Sequence, residues 1–110
     1  MELYKLRLAK TFRNDLRESY AYIATQLSGP IAASKWRQDI KNTIKKKLAY
    51  FPQKYRLIDN PTFAAMGIRR MNVKNHAVLF VIHEKTTCVE VLRIIYARRD
   101  LDRILSEEAI

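Results

Sequence analysis

Residues 67–96 read GIRRMNVKNHAVLFVIHEKTTCVEVLRIIY, and this stretch decides the fold. It contains three runs with the composition of β-strands, IRRMNV, HAVLFVIH and TTCVEVLRII. Short polar turns, Lys74-Asn75 and Glu84-Lys85, separate the runs, and tight turns of this kind join antiparallel strands. The pattern therefore predicts an antiparallel meander. Its middle strand, residues 76–83, is apolar on both sides, as expected for the centre of a sheet.

The turn at Lys74-Asn75 also predicts which side chains share a face of the sheet. A two-residue turn places Val73 opposite His76, and side chains alternate between faces along each strand. One face then carries Arg69, Met71, Val73, His76, Val78 and Phe80, and the other carries Arg70, Asn72, Ala77, Leu79 and Val81. Both sets mix polar and apolar residues, so the pattern leaves open which face meets the helices.

The residues before the meander predict one strand and two helices. LYKLRL, residues 3–8, alternates in character and is typical of a half-buried strand. A helix is predicted from Thr11 to Ser28-Gly29, and a second from Pro30 to Phe51-Pro52. Their apolar stripes are Phe12, Leu16, Tyr20, Ile23 and Leu27 in the first, and Ala33, Trp36, Ile40, Ile44 and Leu48 in the second. Residues 52–66, with two prolines and Asp59-Asn60, predict a loop.

These segments predict an α+β fold with the order β-α-α-β-β-β-α, in which the last helix is RRDLDRIL, residues 98–105. The two long helices form a hairpin that packs on one face of a four-stranded, mainly antiparallel sheet. A chain of 110 residues suits a single domain, which is predicted to span residues 1–110.

The charge of the chain favours a negatively charged partner. Its 21 Lys and Arg outnumber 11 Asp and Glu, for a net charge of +10, and such an imbalance destabilises a compact state by self-repulsion. Nucleic acid, an acidic protein and an anionic membrane all fit, and a merely soluble basic protein is the plain alternative. Cys88 is the single cysteine, which favours a reducing compartment. No segment has the ~20 apolar residues of a membrane span, so we expect a cytoplasmic protein that does not enter a membrane.

The chemistry available to the chain is limited to a few residue types. Two histidines, one cysteine and two glycines give neither a zinc-ligand spacing nor a phosphate-binding loop, so no metal or cofactor is expected. Any catalysis would be metal-independent and would rest on Arg, Lys, His and Tyr. The candidates are Arg70, His76, His83, Tyr96 and Arg99. The histidines also fit as polar residues at strand ends, and the tyrosine fits as a packed residue or as a platform for a base.

The basic residues form two groups. Lys41, Lys45, Lys46 and Lys47 follow the second helix, either as a solvated face or as a tether to a nucleic-acid backbone. The second group lies on or beside the meander and is predicted to bind phosphate or an acidic partner, since arginine donates two aligned hydrogen bonds. Its members are Arg69, Arg70, Lys74, Arg93, Arg98, Arg99 and Arg103.

Nearly the whole chain resembles the RelE/ParE superfamily of bacterial toxins from type II toxin–antitoxin systems. The resemblance rests on an ordered set of segments, YKL, DLRESYAYI, AASKWRQDIKNTIKKKL, GIRRMNVKNHAVLFVI and IIYARRDLDRIL. It implies a growth-inhibiting protein, of the kind that stabilises plasmids, which a cognate antitoxin neutralises. We expect the antitoxin to contribute an acidic, partly disordered segment that folds as it binds.

The resemblance leaves the target open between DNA gyrase and messenger RNA on the ribosome. The paired arginines in YARRD look closer to the gyrase-directed, ParE-like branch. Ala77 stands where the RNA-cutting branch often has an arginine, and residues 101–105 lack that branch's late tyrosine or histidine. A ribosome-dependent endoribonuclease that uses Arg70, Arg99 and a histidine or tyrosine is the first alternative. A non-toxic basic module that binds RNA or protein is the second.

Overall fold

The meander forms the centre of a four-stranded sheet in a computed structural model that describes residues 3–97 and 103–105. Strands β2 (Arg69–Val73), β3 (His76–His83) and β4 (Cys88–Tyr96) pair antiparallel in sequence. Strand β1 (Lys5–Leu8) joins the free edge of β4 in parallel, which gives the order β1-β4-β3-β2. The α+β fold and the mainly antiparallel sheet predicted from the sequence are therefore confirmed.

The β2–β3 turn has the predicted length and register. Lys74 and Asn75 both have positive φ, 46° and 66°, as a two-residue type I′ turn requires. Val73 consequently lies opposite His76. This pairing confirms the division of side chains between the two faces of the hairpin.

The helical hairpin covers one face of the sheet. Helix α1 (Lys10–Tyr22) continues into a π-helical turn (Ile23–Leu27), and α2 (Pro30–Leu48) starts with the predicted proline. Gly29 precedes that proline with φ 93°, a conformation that favours glycine. The core on this face joins Phe12, Leu16, Ile40, Ile44 and Leu48 of the helices to Met71, Val73, Val78, Phe80, Val89, Val91 and Ile94 of the strands.

The opposite face of the sheet has a second, smaller core. Ala77, Leu79 and Ile95 from the strands pack with Ile58, Ile68, Ile104 and Leu105. Residues 103–105 are helical, and the rest of the predicted last helix lies outside the described residues. Both faces of β3 and of the end of β4 are thus buried, which explains why neither set of side chains on the hairpin was wholly polar.

Three local predictions were wrong. Thr11 does not start α1, because the helix begins at Lys10 and the Thr11 hydroxyl donates to the carbonyl of Leu92 in β4. Leu27 is 62% exposed, because the π-helical turn departs from the 3.6-residue period on which the apolar stripe was drawn. Residues 52–66 include helix α3 (Pro61–Ala65). There the Asn60 side chain accepts from the N–H of Phe63, so the Asn-Pro pair acts as an N-cap and first helical residue.

Candidate target-binding site

His76 and Tyr96, two of the predicted catalytic candidates, lie side by side at one end of the sheet. They are cross-strand partners in β3 and β4, and their ring centroids are 5.6 Å apart at an interplanar angle of 71°. Trp36 of α2 approaches the same histidine, with the ring centroids 5.2 Å apart. We call Trp36, His76 and Tyr96 the aromatic cluster.

Two polar contacts fix the surroundings of the aromatic cluster. The Nδ1 atom of His76 lies 3.0 Å from the carbonyl oxygen of Lys74, and because a carbonyl only accepts, Nδ1 carries the hydrogen. The Lys74 ammonium lies 3.5 Å from a carboxylate oxygen of Asp39 on α2. The β2–β3 turn is thereby joined to the helix that supplies Trp36. Lys74 itself is exposed.

Arg93 was predicted to lie on a binding surface, and the structure contradicts this. Its side chain is buried, and its Nε and Nη2 atoms donate to the two carboxylate oxygens of Asp15 at 2.7 and 2.9 Å. Asp15 also accepts from the N–H of Ile94 at 3.0 Å. Since β1 ends beside Val91, α1 supplies the partners that β4 needs beyond that point. Arg93 is therefore part of the attachment of α1 to the sheet.

Arg69 and Arg70 project to opposite faces of the sheet. Arg69 donates to the carbonyl oxygens of Gln53 and Tyr55 at 3.2 and 2.7 Å, and so holds the segment that follows α2. Arg70 pairs with Leu79 across the strands and shares the face of the smaller core. Its Nε atom donates to the Asn72 side chain at 2.9 Å, beside an open cleft lined also by Lys54 and Arg56.

His83 lies far from His76, at the other end of β3. Seven residue steps of about 3.3 Å separate the two histidines by roughly 23 Å. The Nε2 atom of His83 lies 3.1 Å from a carboxylate oxygen of Glu90, which also accepts from Arg7 at 3.1 Å. The hydrogen bond from His83, together with Arg7, lowers the pKa of Glu90 below its usual 4.5 although partial burial acts in the opposite direction.

The remaining predicted residues lie towards the C-terminus or along α2. Arg103 is exposed in the helical residues 103–105, whereas Arg98 and Arg99 lie outside the described residues. The side chains of Lys41, Lys45, Lys46 and Lys47 are exposed along α2. Within the described part of the chain, no three His, Cys, Asp or Glu residues gather to hold a metal, and no helix is long and apolar enough to cross a bilayer.

A second basic surface lies between α1 and α2 and was missed by the sequence reasoning. Arg13 and Arg17 of α1 line a groove of about 360 Å³ opposite Arg37 and Lys41 of α2. Leu8, Leu16 and Tyr20 complete its walls, and none of the described residues that line it is acidic. We call this the hairpin groove. Its signal in the sequence is the four-residue spacing within each basic pair, which places both members on one face of a helix.

Helix α2 contributes a cation to the hairpin groove in a defined position. The guanidinium carbon of Arg37 lies 4.5 Å above the ring centroid of Tyr20, a cation–π contact between the two helices. The Arg13 Nε atom donates to the carbonyl oxygen of Leu8 at 3.3 Å. The groove thus combines an apolar floor with a rim of positive charge.

Comparison with known proteins gives the chain a family. Residues 6–101 match the family described as the ParE toxin of type II toxin–antitoxin system, parDE. No protein among the curated sequences matches the chain.

Solved structures with low sequence identity share the fold. A chain of the chromosomal ParDE toxin–antitoxin system from P. aeruginosa superimposes with a TM-score of 0.72 and 22% identity, covering 87% of this chain and 98% of that one. A chain of the RelBE2 toxin–antitoxin complex from Mycobacterium tuberculosis superimposes with a TM-score of 0.63 and 18% identity, covering 87% of this chain and 93% of that one. The isolated E. coli RelE toxin superimposes with a TM-score of 0.56 and 13% identity, covering 94% of this chain and 95% of that one. Because the family match spans most of its length, the chain belongs to the ParE toxin family of type II toxin–antitoxin systems.

Proposed function

We propose that this chain is a growth-inhibiting toxin that acts by binding DNA gyrase and that a cognate antitoxin neutralises. The main support for a binding mechanism is that the residues suggested for RNA cleavage lie far apart. Arg70 and His76 project from opposite faces of the sheet, and His83 lies at its far end. Metal-independent cleavage needs charge stabilisation and proton transfer at a single phosphate. A surface that binds its target, without cutting it, fits this arrangement better.

A ribosome-dependent mRNA endoribonuclease is the second candidate, and one observation favours it. His76 and Tyr96 are adjacent, and a histidine beside a tyrosine is a pair that can move protons. In that mechanism the pair would act on RNA together with Arg99.

Two assays on the purified protein decide between the candidates. We expect it to inhibit DNA supercoiling by gyrase and to leave message on programmed ribosomes intact. The reverse result, with cleavage abolished by His76→Ala but kept by His83→Ala, would establish the endoribonuclease instead. Induced expression tests the toxin itself, since unimpaired growth would leave only a non-toxic module that binds RNA or protein.

The hairpin groove supports the antitoxin as partner and is the surface proposed to bind it. An acidic amphipathic segment would set apolar side chains against Leu16 and Tyr20 and carboxylates against Arg17 and Arg37. Such binding weakens as salt rises, because the charges at the rim are screened.

Charge reversal tests this assignment of the antitoxin to the groove. We expect Arg17→Glu or Arg37→Glu to weaken antitoxin binding by about tenfold or more, the size of a lost charge pair at an interface. Lys46→Glu makes the same change of charge on α2 at an exposed residue outside the groove, and serves as the matched control. Equal effects of all three variants, or binding that is indifferent to salt, would contradict the assignment.

A further inference from the structure

From the aromatic cluster we infer that Tyr96 is the anchor residue of the surface that contacts the target, and that His76 and Trp36 are positioning residues that hold its ring. This inference rests on the proposed function and deepens it by naming the centre of the contact. It assigns the role to the ring of Tyr96 and not to its hydroxyl.

The position of the Tyr96 ring is set by tertiary structure. The three rings come from α2, from the first residue of β3 and from the last residue of β4. The cross-strand register brings His76 against Tyr96, and Trp36 packs on the same histidine. Since each ring limits the rotation of the next, Tyr96 is held in one orientation before any partner arrives.

The histidine is fixed from the other side as well. Its Nδ1–H donates to the carbonyl of Lys74 within the tight β2–β3 turn, and Lys74 is joined to Asp39. Asp39 lies three residues after Trp36, so it stands almost one helical turn further along α2. The turn, the histidine and the helix therefore form a closed set of contacts around the base of Tyr96.

The exposure of Tyr96 separates it from the residues before it. Ile94 and Ile95 are 2% and 4% exposed, whereas Tyr96 is 40% exposed. Its hydroxyl makes no hydrogen bond to the part of the chain that the structure describes. A core residue would be buried, and a solvated strand end would not be packed against other rings. A ring that is both held and accessible loses little conformational entropy on binding, which is the property of an interface anchor.

The occupant that fits this surface is a protein with an apolar pocket bordered by carboxylates. Lys74 flanks the aromatic cluster, Arg98 and Arg99 follow Tyr96 within three residues of sequence, and the whole chain carries +10. Tyrosine and arginine together are typical of the residues that dominate protein interfaces. Single-stranded nucleic acid is instead bound on several rings in series. Among the residues that the structure describes, the other exposed aromatic side chains, Tyr22, Tyr50 and Phe51, lie outside the strands.

Inhibition of gyrase supercoiling by the full chain tests the anchor. We expect Tyr96→Phe to act within about threefold of the wild type, and Tyr96→Ala to lose about 30-fold or more, as hot-spot truncations do. Tyr96→Gln keeps a longer side chain in case the alanine variant fails to fold, and the same loss is expected. Tyr50→Ala removes a tyrosine of similar exposure, 47%, outside the sheet, and should leave inhibition unchanged.

A double-variant cycle tests the positioning role of the histidine. We expect His76→Ala to weaken inhibition in the wild-type background and to have little further effect in the Tyr96→Ala background, because the histidine acts through the tyrosine. A purely structural role would instead lower inhibition equally in both backgrounds, in step with thermal stability.

The outcomes separate this inference from the function beneath it. A wild-type chain that does not inhibit gyrase refutes the proposed function. Full inhibition by Tyr96→Ala, or a loss in Tyr96→Phe as large as that in Tyr96→Ala, overturns the anchor while gyrase binding stands. The anchor is also overturned if Tyr96 is needed to bind a single-stranded oligonucleotide but is not needed to inhibit gyrase.

Discussion

Removal of the Asp15 carboxylate should be among the most destabilising single changes in this chain. The Arg93 side chain is only 7% exposed and that of Asp15 only 12%. Asp15→Ala removes the two hydrogen bonds, at 2.7 and 2.9 Å, that the buried Arg93 guanidinium donates to Asp15. It also leaves the Ile94 N–H without its acceptor. Breaking a buried pair from one side costs about 3–5 kcal/mol.

That loss is large on the scale of this domain. The free energy of unfolding of a small domain is about 5–15 kcal/mol. A change of 1 kcal/mol in that free energy shifts the Tm of a domain of this size by about 4 °C. The expected fall in Tm for Asp15→Ala is therefore roughly 12–20 °C. Urea unfolding, followed by circular dichroism and by the fluorescence of Trp36, measures the free energy directly.

Two further variants test whether loss of the buried Asp15–Arg93 ion pair is the cause. Asp15→Asn with Arg93→Met removes both charges and keeps a side-chain oxygen for the Ile94 N–H, so it should regain most of the lost stability. Asp39→Asn breaks an ion pair whose side chains are 34% and 50% exposed, and should cost at most about 1 kcal/mol. If Asp15→Ala costs no more than Asp39→Asn, the reasoning from burial is wrong.

Three further changes, the last with a control variant, have defined outcomes. The pKa of Glu90 is lowered in the folded state, so its carboxylate adds stability above pH 4.5 that is lost as the pH falls through the lowered pKa. Glu90→Gln should therefore be less stable than the wild type in chemical unfolding at pH 7, and the difference should close in acid. Thr11→Val removes the hydroxyl that donates at 2.6 Å to a β4 carbonyl, and should cost about 1–2 kcal/mol in urea unfolding. Leu105→Ala opens the smaller core and should cost about 2–5 kcal/mol, whereas Leu27→Ala, at an exposed site, should stay within about 0.5 kcal/mol of the wild type in the same assay.

The parts of the fold that could be predicted are those fixed by local rules. The Lys74-Asn75 turn has a length and composition that allow one hairpin register, so the faces of β2 and β3 followed from counting residues. Pro30 marked the start of α2 for an equally local reason, since a proline is tolerated in the first turn of a helix. The fold class then followed from the order of the segments.

The contacts of Arg93 and Arg69 could not be predicted, because they depend on groups distant in sequence. Arg93 is buried by a carboxylate that lies 78 residues earlier, and Arg69 is held by backbone carbonyls 14 and 16 residues away. Neither partner has a signal in the sequence that links it to the arginine. The same limit applied to the aromatic cluster, in which Trp36 was assigned only to the apolar stripe of α2.

The acidic side chains of the two long helices point away from the hairpin groove. For this reason all the charged residues among the described residues that line the groove are basic. Asp15 pairs with Arg93 beneath α1, and Asp39 reaches the β2–β3 turn. Glu18 lines a separate polar cavity beside the end of β4. These three are the only acidic residues in α1 and α2, so none offsets the cations of the groove. Mutual repulsion of those cations opposes folding, and an acidic segment in the groove would relieve it. Neutralisation by such a segment would therefore stabilise the toxin as it blocks it, by as much as the binding favours the folded state.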